Sequence, residues 1–462
     1  MRIVLADLKG TNGHVNKDTV AGGYGSRFHG FTKTMKIVEV LRRLYENLPS
    51  IQIGYIASIL TREGHEVHVT RDQLIPGDIA LVLSSLVDFR HEIRWMQEFR
   101  KTYHSPAGFF GTTATHLPEL LLEHSDFVIR GEPEDAAQRL AKGEILKGAV
   151  VSKPIADLDS LPFPRWDIAR RKGLSFSARL SRWPRVSIFP LLASRSCPEF
   201  CTYCPHRITA AYRARSVENV FAEIEHLNDE YGRVNLVFRD PLFTEQRERS
   251  MELAEKMIRK GVKVHYECET RLDDLDTDLL DLLYEAGLRR ITFGVESVDP
   301  QTLKRVGRRV IPPEHQKKIV TYCRNKGIET TGFYVFGFLP DTVQSIRATI
   351  DYSRELDSTH ALFKILTPYP GTPLRKQMEP LIFEKDFERF DGYTLTFRHP
   401  NMTEEQLWHL LGSAFTRFYC RPSWALKFFG VEKYFRRWIQ GWDASVERKH
   451  DRTDAEAGFV LA

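Results

Sequence analysis

Residues 197–204 read Cys197-Pro198-Glu199-Phe200-Cys201-Thr202-Tyr203-Cys204. The spacing is C-x3-C-x2-C, and an apolar, strand-like run at 186–193 leads straight into it. Three thiolates from one short loop suit three irons of a 4Fe–4S cluster. Such clusters normally take four cysteines, so three leave one iron open to a substrate or cofactor. The structural alternative is a zinc knuckle, with His206 as fourth ligand in C-x3-C-x2-C-x-H. Structural zinc ligands usually come as two separated pairs, whereas here every candidate crowds one loop.

Downstream of the cysteines the chain keeps a regular βα rhythm to about residue 370. Strand-like runs fall at 186–193, 234–238, 264–269, 290–294, 332–336 and 363–366, with helical stretches near 216–230, 245–260, 277–286, 313–326 and 343–356. Six βα-type units suit a partial barrel of TIM type, with chemistry at the carboxyl ends of its strands. The cysteines follow the first of these strands, at that end. This placement favours catalysis over a structural knuckle.

Upstream, residues 1 to about 145 alternate short apolar runs (3–6, 67–70, 79–84, 107–111, 127–129) with helical stretches such as 53–63 and 93–103. That pattern predicts a Rossmann-like parallel sheet with helices on both faces, whose ligands sit at the carboxyl ends of the strands. An insert at about 8–50 interrupts it, carrying Gly22-Gly23-Tyr24-Gly25 and a helical stretch at 34–46. The glycines have the composition of a phosphate cradle. Without a G-x-G-x-x-G fingerprint they read as a flexible turn. Leu161-Pro162-Phe163-Pro164-Arg165-Trp166 reads as an extended linker. The expected organisation is an α/β chain: a Rossmann-like domain at 1–149, a linker at 150–184, the partial barrel at 185–379 and a helical region at 380–462.

Composition narrows the class. A formal net charge of +5 on 462 residues argues against a dedicated nucleic-acid coat but permits local basic patches. One patch surrounds the cysteines: Arg170, Arg171, Lys172, Arg179, Arg182 and Arg185 precede the loop, and further arginines follow it. It is either a solvated face or an attractor for an anionic substrate or an electron donor with an acidic surface. Cys268, Cys323 and Cys420 are scattered, so there is no disulfide framework, and a reducing cytoplasm fits. The N-terminus reads as a strand rather than a signal peptide, and no run of about 18 apolar residues marks a membrane span. The tail alternates Trp424, Phe428, Phe429, Tyr434, Phe435 and Trp438 with Lys427, Lys433, Arg436 and Arg437. Such a segment lies on a membrane surface or packs on the barrel with its bases snorkelling to solvent.

The cysteine loop, with Tyr203 as its aromatic residue, resembles the signature of the radical S-adenosylmethionine (SAM) superfamily. Ser194-Arg195-Ser196 before it and Tyr212-Arg213-Ala214-Arg215-Ser216 after it fit the same pattern. The resemblance implies an enzyme with a partial (β/α)6 barrel. Its cluster, held by Cys197, Cys201 and Cys204, binds SAM at the open iron and cleaves it reductively to methionine and a 5′-deoxyadenosyl radical that abstracts hydrogen. Residue by residue, it implies that Tyr203 shapes the SAM site and that Asp240 accepts the SAM amino group. Pro241 stands where many relatives carry a second acid. It further implies that Arg271 meets the SAM carboxylate, that Glu296 meets the ribose, and that Gly337 lets backbone approach the adenine. The acid usually found downstream of that glycine is out of register here. Thr367-Pro368-Tyr369-Pro370-Gly371-Thr372-Pro373 matches the turn after the sixth strand. No catalytic acid or base is identified.

The first domain resembles the cobalamin-binding domain fused to many of these enzymes. The matching stretches are Pro49-Ser50-Ile51-Gln52-Ile53-Gly54, Gly64-His65-Glu66-Val67, Gly111-Thr112-Thr113-Ala114-Thr115 and Arg130-Gly131-Glu132-Pro133-Glu134. The tail segment Arg417–Pro422 fits the same subgroup. The D-x-H-x-x-G motif of histidine-ligated cobalamin is absent, because Asp7 is followed by Leu8, Lys9 and Gly10. The insert sits where a corrin would be approached. The implied reaction is cobalamin-dependent methylation of an unactivated carbon in a biosynthetic pathway. The alternative is a cobalamin-independent reaction, such as dehydration of a sugar diol or ring formation on a lipid. A zinc-stabilised RNA-binding protein is the reading from another class. Implied partners are a small-molecule substrate and a single-electron donor such as flavodoxin or ferredoxin, with no stable nucleic acid and with peripheral membrane contact through the tail.

Overall fold

The computed structural model describes residues 1–10, 15–17, 20–45, 48–167 and 187–424. Two six-stranded parallel sheets carry the architecture. The first is built from β1 (Arg2–Ala6), β2 (Glu66–Thr70), β3 (Ile79–Leu83), β4 (Ala107–Phe110), β5 (Phe127–Arg130) and β6 (Gly148–Val151). Its order is β2-β1-β3-β4-β5-β6, so the chain reverses direction across the sheet between β1 and β3. That is the switch point at which open α/β sheets bind ligands. β3 and β4 are buried at every position, as strands covered on both faces must be.

Helices α1 (Lys33–Tyr45), α2 (Ile51–Arg62), α3 (Phe89–Tyr103), α4 (Thr112–His116), α5 (Glu119–Leu122) and α6 (Pro133–Ala141) connect these strands. β6 was not anticipated. It pairs with β5 from Phe127↔Gly148 to Arg130↔Val151, so the sheet runs past the boundary expected at residue 149. Its Gly148-Ala149-Val150-Val151 is too short and too exposed to signal itself by alternation.

The second sheet is the barrel. It comprises β7 (Ser187–Leu191), then β10 (Val234–Phe238), β11 (His265–Thr270), β12 (Leu288–Glu296), β13 (Glu329–Phe336) and β14 (His360–Ile365). A two-stranded ribbon of β8 (Ser194–Arg195) and β9 (Arg213–Ala214) lies between β7 and β10. The barrel order follows the chain, β14 to β7, with all pairs parallel. The crossover helices are α7 (Val217–Tyr231), α8 (Arg247–Lys260), α9 (Thr277–Glu285), α10 (Pro300–Arg305), α11 (Pro313–Lys326) and α12 (Val343–Leu356). β12 and β13 run several residues longer than their apolar cores suggested, because polar residues outside those cores, such as Glu296 and Thr331, face a cavity inside the barrel. α13 (Pro373–Met378) follows β14. α14 (Glu404–Tyr419), opened by a Thr403–Gln406 capping box, packs Phe415 and Phe418 on Phe363 of β14 and so covers that edge strand.

One core runs through both layers. The linker joins them: Trp166 is buried and stacks on Phe189 of β7, and Arg165 N–H donates to Gly54 O of α2 at 3.0 Å. The part of the expected linker beyond 167, with its cluster of arginines, and the aromatic-basic tail beyond 424 lie outside the described residues. Among the described residues no helix is long and apolar enough to cross a membrane.

Gly54 makes the close approach of linker and helix possible. A Cβ there would meet Pro164 Cβ at 2.8 Å and the Trp166 ring at 2.8 Å. Overpacking of this kind costs about 1–3 kcal/mol. Gly54→Leu is therefore expected to lower the thermal unfolding midpoint measured by circular dichroism, and an unchanged midpoint would contradict this packing.

Candidate functional site

The cysteine loop leaves the carboxyl end of β7 and is held at both ends. At its start, Asp240, directly after β10, accepts hydrogen bonds from Ala193 N–H (3.0 Å) and Ser194 Oγ–H (2.6 Å). At its end, Arg215 is buried in an ion pair with Glu223 and donates to Leu192 O at 2.9 Å. The ribbon β8–β9 closes the loop's base. Its arginines reach into the other layer: Arg195 pairs with Glu134 at 2.8 Å, and Arg213 pairs with Glu132, both at the start of α6. Within the loop, Ser196 takes a left-handed φ of 67°. Thr202 N–H donates to Val306 O, and Leu374 N–H donates to Thr202 O. The loop is thus threaded between α10 and α13.

Cys197, Cys201 and Cys204 all carry free thiols and all line one cavity of about 470 Å³ inside the barrel mouth. Burial pushes the thiols of Cys197 up to about 11 and of Cys204 up to about 12. Thiols raised in this way become thiolates when a metal binds them, and the site supplies compensating charge. Arg308 Nη1 stands 3.9 Å from Cys201 Sγ, its Nη2 donates to Gly294 O at 2.5 Å, and it lies 3.7 Å from Glu296 Oε1.

Three such cysteines, free, sharing one cavity and backed by a buried cation, fit an iron–sulfur cluster with one open corner.

The expected SAM-site residues divide into two groups. Tyr203, Arg271 and Glu296 line the cavity with the cysteines. Glu296 has a left-handed φ of 64°, receives the Tyr203 hydroxyl, and is pushed up in pKa chiefly by burial. Arg271 is 5% exposed; its Nε and Nη2 bond Asp273, and its Nη1 has no hydrogen-bond partner. A buried guanidinium nitrogen left open beside the cavity suits an incoming carboxylate.

Asp240 and Gly337 do not line the cavity. Asp240 is fully buried and spends both carboxylate oxygens on Ala193 and Ser194. It positions the cysteine loop rather than standing ready for an amino group. Gly337 adopts φ 90°, and its N–H donates to Asp341 Oδ2, as does that of Phe338. Asp341 thus holds the turn after β13 and does not itself line the cavity. Sequence reasoning missed Asp341 and Arg308. The only signal for Arg308 was Gly307-Arg308-Arg309 after α10, which carries no period.

The insert lies between the two layers. Lys17 forms an ion pair with Glu92 at 2.7 Å with both side chains at 0% exposure, and its ammonium donates to Leu83 O at the end of β3. Tyr24 is fully buried, stacks on Tyr369 at 5.3 Å and donates its hydroxyl to Pro370 O at 2.6 Å. Gly22, Gly23 and Gly25 all have positive φ. A Cβ on them would meet the Pro205 backbone at 2.8 Å, Thr112 Oγ1 at 2.5 Å and Ser85 Cβ at 3.1 Å. These glycines serve close packing rather than a phosphate cradle or a loose turn. The residues at the switch point, Ser84, Ser85, Leu86 and Thr113, are all 0% exposed. As arranged, this crevice does not fit a corrin.

Residues 191–352 match the family model of the radical SAM superfamily. An uncharacterized methyltransferase of Pyrococcus horikoshii is 25% identical over 450 residues, covering 86% of this chain and 95% of that protein. A solved structure of the radical SAM methyltransferase TsrM from Kitasatospora setae, with cobalamin and a 4Fe–4S cluster bound, shares the fold. It has a TM-score of 0.58 and 16% identity over 82% of this chain and 77% of that one. OxsB, a cobalamin-dependent radical SAM enzyme solved with aqua-cobalamin, shares it too, with a TM-score of 0.62 and 14% identity over 88% of this chain and 65% of that one. The match falls on the barrel that presents the three cysteines, and it decides against the zinc-stabilised RNA-binding reading: residues 191–352 form a radical SAM domain, and the chain is a radical SAM enzyme with a 4Fe–4S cluster and SAM as cofactors.

Proposed function

We propose that Cys197, Cys201 and Cys204 hold the cluster and that the cavity beside them receives SAM and a small-molecule substrate. The observation that carries this reading is the convergence of the three free thiols, Arg271 and Glu296 on one cavity. Bound there, the cluster supplies the electron that splits SAM into methionine and a 5′-deoxyadenosyl radical, which takes a hydrogen atom from the substrate to give 5′-deoxyadenosine and a substrate radical. The electron comes from a small donor protein such as flavodoxin or ferredoxin.

The chain's own residues bind and orient. Arg271 Nη1 takes the SAM carboxylate in a charge-assisted hydrogen bond. Glu296, held by Tyr203 and Arg308, accepts from the ribose hydroxyls. Arg308 offsets negative charge at Cys201. Asp240 and Asp341 act one step back, fixing the cysteine loop and the turn after β13.

For the substrate radical, the names of the relatives support methyl transfer, and TsrM is a methyltransferase solved with cobalamin bound; the acceptor we propose is an unactivated carbon. The buried insert favours the second reading, a cobalamin-independent reaction such as dehydration of a diol or ring formation on a lipid.

Two variants test the core of the proposal. Cys201→Ala is expected to abolish 5′-deoxyadenosine formation from SAM under dithionite, read by chromatography of the quenched anaerobic reaction. Retained formation would remove Cys201 from the cluster. Arg271→Ala is expected to weaken SAM binding by roughly 10- to 100-fold, the loss of a hydrogen bond to a charged group worth about 1.5–3 kcal/mol, with iron content near that of the parent. Loss of iron instead would assign Arg271 to folding.

A further inference from the structure

We infer that residues 15–17 and 20–28 of the insert take the ligand's place at the β1/β3 switch point, so that this chain works with a polypeptide where a cobalamin-type domain offers room for a corrin. This rests on the radical SAM reading of the barrel and concerns what fills the neighbouring layer.

Three observations carry it. The first is position. Sheets of this order bind ligands outside the carboxyl ends of the strands flanking the reversal. At β3 that end is occupied by Lys17 on Leu83 O. Just beyond it, Leu86 N–H donates to Tyr24 O at 2.8 Å, and Arg27 donates to Val87 O and, at 2.8 Å, to Asp88 Oδ1. At β4, Thr112 Oγ–H donates to Gly22 O at 2.6 Å. The insert therefore satisfies polar groups at the strand ends that a bound ligand would otherwise meet.

The second is charge. Glu92 is fully buried and accepts from Ser85 N–H (2.9 Å) and Ser85 Oγ–H (2.7 Å) as well as from Lys17. Removing one partner of a buried ion pair is strongly unfavourable, because the other charge is left uncompensated. The side-chain amides of a corrin are uncharged and its phosphodiester is anionic, so apart from its cobalt a corrin displacing the insert carries no cation to stand in for the Lys17 ammonium.

The third is continuity. The same segment rests on the cysteine loop through Gly22 and Pro205 and on the turn after β14 through Tyr24, Tyr369 and Pro370. The helix that follows supplies Val38 and Leu41 to the wall of the cluster cavity. The segment is thus anchored to both layers and forms part of the substrate's surroundings.

The test uses the full chain, produced without cobalamin and reconstituted anaerobically with iron and sulfide. Incubated with hydroxocobalamin and desalted, it is expected to retain no corrin absorbance, and hydrogen exchange in peptides spanning 15–28 and 84–88 is expected to be unchanged by the corrin. It is also expected to form 5′-deoxyadenosine from SAM in the absence of any corrin. Retention of about one corrin per chain, or new protection of those peptides on corrin addition, overturns the inference and leaves the cluster reading intact. Iron and sulfide content, measured on the same sample, reports separately on that reading. A K17A/Y24A variant keeps the test sharp. Faster exchange at 84–88 in the variant is expected, and exchange as slow as in the parent would show that the insert does not cover the crevice.

Discussion

The Asp240 carboxylate, buried at the end of β10 and bonded to Ala193 N–H and Ser194 Oγ–H, fixes where the chain leaves the first barrel strand. Burial pushes its pKa up, and the two donors pull against that shift. A carboxylate removed from water is tolerable only when its lone pairs are met, so the contact constrains both partners. Eight residues of cysteine loop hang from this point. Arg249 reinforces it by donating to Ala193 O at 2.8 Å and Arg215 O at 3.0 Å. Displacing this junction would carry all three thiols with it, whatever their own surroundings.

The barrel interior carries charged groups among its apolar lining. In β11 the buried Tyr266, Cys268 and Thr270 alternate with half-buried Glu267 and Glu269, and the latter two line the cavity. Their charges are answered across neighbouring strands: Arg290 pairs with Glu267 and Glu329, and Arg239 with Glu269. Residues on adjacent parallel strands stand close enough to interact when their side chains point the same way. This ladder lets charged groups stand inside a barrel whose outer face is closed by apolar helices, and it sets fixed charges beside apolar residues such as Phe293, Leu362 and Leu366 that also line the cavity. Arg271 and Arg308 sit at the mouth of the same ladder, where Arg271 still has one nitrogen without a partner.

Much of this was legible in the sequence because the signals are local. Apolar runs of four to eight residues marked the barrel strands, and the cysteine spacing marked the loop. Tyr203, Arg271 and Glu296 came from the resemblance to the radical SAM signature and not from any local period. Asp240 came from the same resemblance, and its carboxylate turns to Ala193 and Ser194 instead of to the cavity, because position at a strand end does not say which way a carboxylate turns. Gly337 was singled out for backbone freedom, and its φ of 90° agrees, yet its partner Asp341 was missed because a side chain folding back four residues leaves no periodic trace. Arg308 and the Lys17–Glu92 pair were invisible for a different reason. Each joins residues far apart in sequence, 107 positions between Arg308 and Cys201 and 75 between Lys17 and Glu92, and one sequence gives no measure of such proximity.

The insert shows how one segment can change what a layer does without changing the layer. The parallel sheet of the first domain, its order and its reversal between β1 and β3 are those of a ligand-binding fold, and fold alone does not imply function. What differs is occupancy. Three glycines with positive φ let the backbone lie against Pro205, Thr112 and Ser85 at distances no side chain would permit. A tyrosine and a lysine on either side then bind opposite layers. A buried ion pair adds little net stability over an apolar contact of the same size, but it punishes misplacement, because an ammonium without its carboxylate cannot stay buried. Lys17 therefore fixes the register of the insert against β3, Tyr24 fixes it against the barrel, and the cavity wall that α1 presents to the cysteines inherits both constraints.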